Sequence, residues 1–136
     1  MAVVYTNSLA GVTPEHLGGF FVGWPNPPGP ETHLRLLRGS DHVWLAREAE
    51  TGQVVGFINA LSDGVLSAFI PLLEVLPAYQ RRGIGSELAR RMLASLSDLY
   101  AVDLMCDPDL QPFYARLGGR PAGGVVWRRC DRQSGA

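Results

Sequence analysis

Residues 73–86 constrain this chain more than any other stretch. Leu73-Glu-Val-Leu-Pro-Ala-Tyr-Gln-Arg-Arg-Gly-Ile-Gly-Ser86 reads as the end of a strand, a turn of arginine and glycine, and the start of a helix. Over residues 86–97 the apolar period becomes helical. Leu88, Met92, Leu93 and Leu96 fall on one face, opposite Glu87, Arg90 and Arg91. Upstream the pattern is that of strands. Residues 42–47, 53–61 and 65–76 are apolar runs parted by turns at 50–52 and 62–64, which predicts an antiparallel meander, with Pro71 interrupting its third run.

The remaining elements follow from local signals. Residues 2–5 suit a short strand. Thr13-Pro14 reads as a cap and first residue of a short helix ended by Gly18. Residues 31–38 form a helix closed by Gly39, and residues 100–106 return to strand composition. Asp107-Pro108 starts a helix that runs to Gly118, with Leu110, Phe113, Tyr114 and Leu117 at core-facing spacing. Residues 125–129 read as a last strand. Residues 23–30 hold four prolines and can only be a rigid loop, with Trp24 as its aromatic surface. No repeat or linker divides the chain. The expectation is one α/β domain over residues 1–136, with a mixed, mostly antiparallel sheet of six or seven strands and four helices.

Composition narrows the function. The 136 residues are 46% apolar, enough for a core, and carry a formal charge of −1. A near-neutral chain lacks the clustered positive charge that nucleic acid requires. All twelve basic residues are arginine, which excludes a lysine nucleophile, a Schiff base or a P-loop lysine. Cys106 and Cys130 are too few for a disulfide framework, and with His16, His33 and His42 they give no metal-ligand spacing, so no metal is expected. No apolar run reaches the roughly 20 residues of a membrane span, and residues 1–5 lack the basic and apolar regions of a signal peptide. A cytoplasmic location without membrane partners is expected.

The arginine-glycine turn is an anion site by construction. A helix N-terminus presents unpaired N–H groups and the positive end of its dipole. Gly83 and Gly85 clear the approach to the backbone, and Arg81 and Arg82 add charge. No Gly-Lys-Ser/Thr follows, as a Walker A loop would need, and Leu88 stands where a dinucleotide fingerprint needs a small residue.

Gln80-Arg-Arg-Gly-Ile-Gly85 resembles the Q/R-x-x-G-x-G/A motif of the GNAT superfamily of N-acetyltransferases, in its usual setting after Val75-x-Pro77 and before Leu88-x-x-x-Met92-Leu93. A second segment, Asp107-Pro-Asp-Leu-Gln-Pro-Phe-Tyr-Ala-Arg-Leu-Gly118, resembles that family's N-x-x-A-x-x-F-Y-x-x-x-G-F helix. The resemblance implies a GNAT fold and direct acetyl transfer from acetyl-CoA to a primary amine of a small molecule or protein. It implies coenzyme contacts from Gln80 and from the amides of Arg81, Arg82, Gly83, Ile84, Gly85 and Ser86. Asp107 would meet the pantetheine arm. Main-chain N–H groups at Val75 and Leu76 would polarise the thioester if a bulge frees them, and Tyr114 would protonate the leaving thiolate. Glu74 is the nearest carboxylate able to take the amine proton, and its other reading is an ion pair with Arg81 or Arg82. Asp63, Asn59 and His33 are weaker candidates for substrate contact. Cys106 reads as a small buried thiol rather than as an acetyl carrier. Asp107 departs from the family's Asn, Gly119 from its Phe, and Phe69-Ile-Pro71 supply no carboxylate where a base often stands. A coenzyme-A-binding module without useful catalysis is therefore the alternative, and a homodimer is left open.

Overall fold

Asp63 ties together the turn between two strands. Its Oδ1 accepts the amides of Val65 and Leu66 at 2.8 Å and of Ser67 at 3.2 Å. Those donors, Leu66 first, hold the carboxyl below the usual carboxylate range. The turn joins two strands of the sheet in this computed structural model, which describes residues 2–136. Asp63 therefore shapes the sheet, and its carboxylate is spent on the backbone.

Five strands follow in spatial order β1-β2-β3-β4-β5. They are β1 (Val3–Thr6), β2 (His42–Glu48), β3 (Val54–Ser62), β4 (Ser67–Val75) and β5 (Ala101–Leu104). The first four pair antiparallel, whereas β4 and β5 run parallel, joined through the crossover helix α2 (Ile84–Ser95). Each face of the sheet buries one cluster. On one face, Ile84, Leu88, Met92 and Leu96 pack against Ala46, Val55, Ile58 and Ile70. On the other, Leu34 and Leu37 of α1 (Pro30–Arg38) and Leu17 pack against Leu45 and Phe57.

The expected fold class stands, with fewer elements than the sequence predicts. Residues 125–129 do not form a strand, so the sheet stops at β5. Pro121 removes a ladder donor, and Gly118, Gly119, Gly123 and Gly124 add no packing surface, so the approach to Val125 favours open chain. The expected helix over 107–118 shrinks to a 3-10 turn (Pro108–Leu110) and a short α3 (Gln111–Ala115). Pro112 cannot donate to the carbonyl of Pro108, which breaks one continuous helix in two. The expected first helix is likewise a 3-10 turn (Pro14–Leu17), closed by donation from the Thr13 amide to His16 Nδ1 at 3.1 Å. No helix among the described residues is long and apolar enough to cross a membrane.

Candidate active site

The site begins where β4 and β5 part. Asn59 pairs with Leu72 but Leu61 with Phe69, so β4 carries one extra residue across this stretch. Pro71, which has no N–H to lose, sits in that bulge. The parallel ladder ends at Ile70–Leu104, while β4 continues to Val75. Below the bulge, β4 thus has an edge that β5 does not cover.

Register decides which groups this edge presents. The Leu76 amide donates to the Val55 carbonyl at 2.8 Å. In an antiparallel ladder, bonded pairs alternate with non-bonded ones, so Glu74 and Leu72 also turn their amides toward β3. Leu73 and Val75 then point theirs to the open side. Gln80 confirms the direction, because its Nε2 donates to the Val75 carbonyl at 3.0 Å. The expectation for Leu76 is corrected here: its amide belongs to the sheet. Leu73 supplies the second outward amide, a residue that only the register could reveal.

Beyond Pro77–Tyr79 the chain turns twice through left-handed backbone, at Arg81 (φ 64°) and at Gly83 (φ 80°). Gly83 is the N-cap residue of α2, and no side chain caps the helix. The amides of Ile84, Gly85 and Ser86 are therefore without intrahelical acceptors, the arrangement that suits an anion. Arg82 stacks over the Tyr79 ring, 5.3 Å from its centroid. Among the described residues, the ion pairs are Glu87 with Arg90 and Arg91. Neither Arg81 nor Arg82 is neutralised, and the expected alternative pairing of Glu74 with either arginine does not occur.

A cleft of about 650 Å³ opens at the splay, lined by Leu73, Glu74, Gln80, Cys106, Asp107 and Tyr114, among others. Tyr114 is half-buried against Phe113, with ring centroids 4.9 Å apart. Burial, and then the neighbouring Cys106, push its phenol above the ordinary tyrosine range, so it stands protonated near neutral pH. Asp107 precedes the 3-10 turn without capping it through its side chain. Cys106 is half-exposed in the cleft, not the buried thiol the sequence suggests.

Glu74 does what its sequence position does not reveal. The Phe21 and Val22 amides donate to its two oxygens at 2.9 and 3.4 Å. Phe21 holds φ of 62°, a backbone state that bulky residues avoid, and the carboxylate secures it. This clamp fixes the wall formed by Val22 and Trp24. Val126 and Arg128 line the same cleft, and the sequence reading gave them no role. Their local signal is only an apolar run, Val125-Val-Trp127, ended by Arg128.

Two weaker candidates leave the site. His33 is buried among Phe20, Phe21 and Phe57, with centroids 4.4 to 5.3 Å away, and neither ring nitrogen has a hydrogen-bond partner. Burial lowers its pKa to about 4, which keeps the imidazole neutral. Asn59 is buried and donates to Ser40 Oγ at 3.0 Å.

Comparison with known proteins agrees with this geometry. The profile of the acetyltransferase (GNAT) family matches residues 9–132. A protein from Deinococcus radiodurans R1, whose crystal structure is described as that of a candidate acetyltransferase, is 55% identical, with a TM-score of 0.94 over 97% of this chain and 92% of that one. A GNAT family acetyltransferase from Streptococcus pneumoniae TIGR4 is 30% identical, with a TM-score of 0.76 over 94% of this chain and 98% of its own. In sequence, the chain is 42% identical over 69 residues to GCN5-related N-acetyltransferase 3, chloroplastic, of Arabidopsis thaliana, a match covering 49% of this chain and 29% of that protein. It is 33% identical over 101 residues to serotonin N-acetyltransferase 2, chloroplastic, of Oryza sativa subsp. japonica, covering 71% of this chain and 50% of that protein. The chain thus spans half or less of the length of these two plant relatives. From strand splay to family profile, the observations agree, and the chain belongs to the GNAT family of acetyltransferases.

Proposed function

We propose that the protein transfers an acetyl group from acetyl-CoA directly to a primary amine. The observation that carries this reading is the uncovered edge of β4 beside the N-terminus of α2. An extended arm bearing amides can pair with the Leu73 and Val75 edge as a strand would, while a pyrophosphate meets the amides from Arg81 to Ser86. Coenzyme A carries both groups in one molecule. Gln80 ties the loop to the strand, and Asp107 faces the arm from the β5 side.

The chemistry needs a polarised thioester, a free amine and a proton for the leaving sulfur. The outward amide of Leu73, nearer the splay, is the donor for the carbonyl oxygen, which leaves the Val75 amide to the arm. The amine attacks the carbonyl carbon, the carbon–sulfur bond breaks, and the thiolate takes its proton from the Tyr114 hydroxyl. The apolar surroundings that raise the phenol pKa also disfavour a bare thiolate, so the proton moves within a shared environment. Glu74 lines the cleft and has lone pairs beyond its two amide bonds, which supports it as the acceptor of the ammonium proton. The rice relative is named for serotonin, a primary amine, which supports that acceptor class.

Calorimetry with acetyl-CoA, followed by amine-dependent release of free thiol over an amine panel, tests the reading. Tight binding with thiol release is expected. Binding without any transfer would leave a coenzyme-binding module, and no binding would sink the proposal.

A further inference from the structure

The acceptor side of the cleft carries a charge that the transfer chemistry does not use. Beyond α3, residues 125–128 run extended, with Val125 and Trp127 turned outward at 78% and 75% exposure. Val126 and Arg128, the alternate residues, line the cleft. A few residues on, Gln133 Oε1 accepts the Asn26 amide at 2.8 Å, and Gly135 lies against Thr32 of α1. The segment therefore closes against the loop that holds Trp24. Its failure to join the sheet is what brings Arg128 to the wall of the cleft.

Arg128 pairs with no carboxylate among the described residues. Both oxygens of Glu74 are engaged by backbone amides. The phosphate loop already has its own cations in Arg81 and Arg82, together with the helix N-terminus. An arginine without an ion pair, lining the same cleft as Val22, Trp24 and Val126, matches one kind of ligand: an apolar body bearing an anion.

The geometry points to Arg128 as the specificity residue of the acceptor site, reading an anionic group on an apolar amine. Carboxylated amines, such as aromatic amino acids, are then preferred over the corresponding simple amines. This inference rests on the acetyl-transfer reading above and adds the acceptor class to it.

The test uses matched pairs, phenethylamine with phenylalanine and tryptamine with tryptophan, on the full chain and on Arg128→Gln. Acetyl transfer and acceptor binding to the acetyl-CoA complex are both measured. The wild type should favour the carboxylated member of a pair at least tenfold. Arg128→Gln should abolish that preference by raising KM for the carboxylated amine, leaving transfer to the uncarboxylated amine and acetyl-CoA affinity unchanged. Equal treatment of both members by the wild type, or a preference that survives in Arg128→Gln, overturns the inference while acetyl transfer stands. Weakened acetyl-CoA binding in Arg128→Gln assigns the arginine to a coenzyme phosphate and also overturns it. Absence of acetyl-CoA binding by the wild type overturns both readings.

Discussion

The two ends of the cleft are built by different means. At the phosphate-loop end, the strand edge, two left-handed residues and a helix N-terminus all come from residues 73–86, and most of the contributing groups are main-chain amides. At the acceptor end, Glu74 reaches back 53 positions to Phe21, and Gln133 reaches back 107 to Asn26, so side chains hold distant segments in place. A backbone-built site should tolerate most side-chain changes and fail when a backbone angle is forbidden. A site assembled from side chains should fail when one hydrogen bond is cut.

Tyr114, where the two ends meet, gives the largest expected effect. Tyr114→Phe keeps the packing area and removes the proton donor, so kcat should fall roughly 10²- to 10⁴-fold. Acetyl-CoA affinity should not change, as calorimetry would show. Turnover at the wild-type level would make Tyr114 a packing residue of the acceptor wall.

Acid should separate the two ends next. His33 lies under Phe21, with centroids 4.9 Å apart, and has a folded pKa of about 4. Its ordinary value near 6.5 applies when the chain is unfolded, so the unfolded state binds the proton first as pH falls. Stability is full above about pH 6.5 and declines toward pH 4, by roughly 3 kcal/mol in all. Denaturant titrations across that range should show the decline, and His33→Phe should flatten it. Hydrogen exchange should detect loosening around Phe21 before it reaches α2.

Gly83 tests the backbone-built end. A Cβ added there meets no heavy atom within 4 Å, so sterics alone would permit Gly83→Ala. The left-handed φ of 80° makes the cost conformational, about 1 to 2 kcal/mol, which corresponds to up to roughly thirtyfold in acetyl-CoA affinity. Gly83→Asn, which accepts that backbone state, should lose much less. Equal losses for alanine and asparagine would show that the side chain obstructs the ligand instead.

Glu74→Gln probes the side-chain-built end and should be the mildest change. A carboxamide has one acceptor oxygen and cannot take both loop amides. Losing one hydrogen bond to a charged group, about 1.5 kcal/mol, should raise the acceptor KM about tenfold while acetyl-CoA affinity holds. If Glu74 also takes the ammonium proton, the deficit in kcat should shrink as pH rises. A deficit constant across pH would leave Glu74 as a clamp alone.

What could be read from the chain divides along the same line. The strands of the meander, α1, α2 and the anion-binding turn are legible because each is written in neighbouring residues: apolar period, a capping glycine, a proline. Residues 125–129 show the limit. Val-Val-Trp has strand composition, yet a strand needs a partner edge, and the glycines and Pro121 before it let the chain pass β5 and cross the cleft. Glu74 shows the same limit more sharply. Its position beside Val75 marked it as important, but nothing local says that its carboxylate meets the amides of Phe21 and Val22. The Leu73 and Val75 amides depend in turn on a one-residue bulge at Pro71, which sets the register of β4 against β3. By itself the sequence determined the strands of the meander, α1, α2 and the arginine-glycine turn between β4 and α2, because periodicity and capping act within a few residues. Only the tertiary structure decided which amides are free, what Glu74 holds and where Arg128 stands, because those partners are chosen when distant segments compete for the same edge.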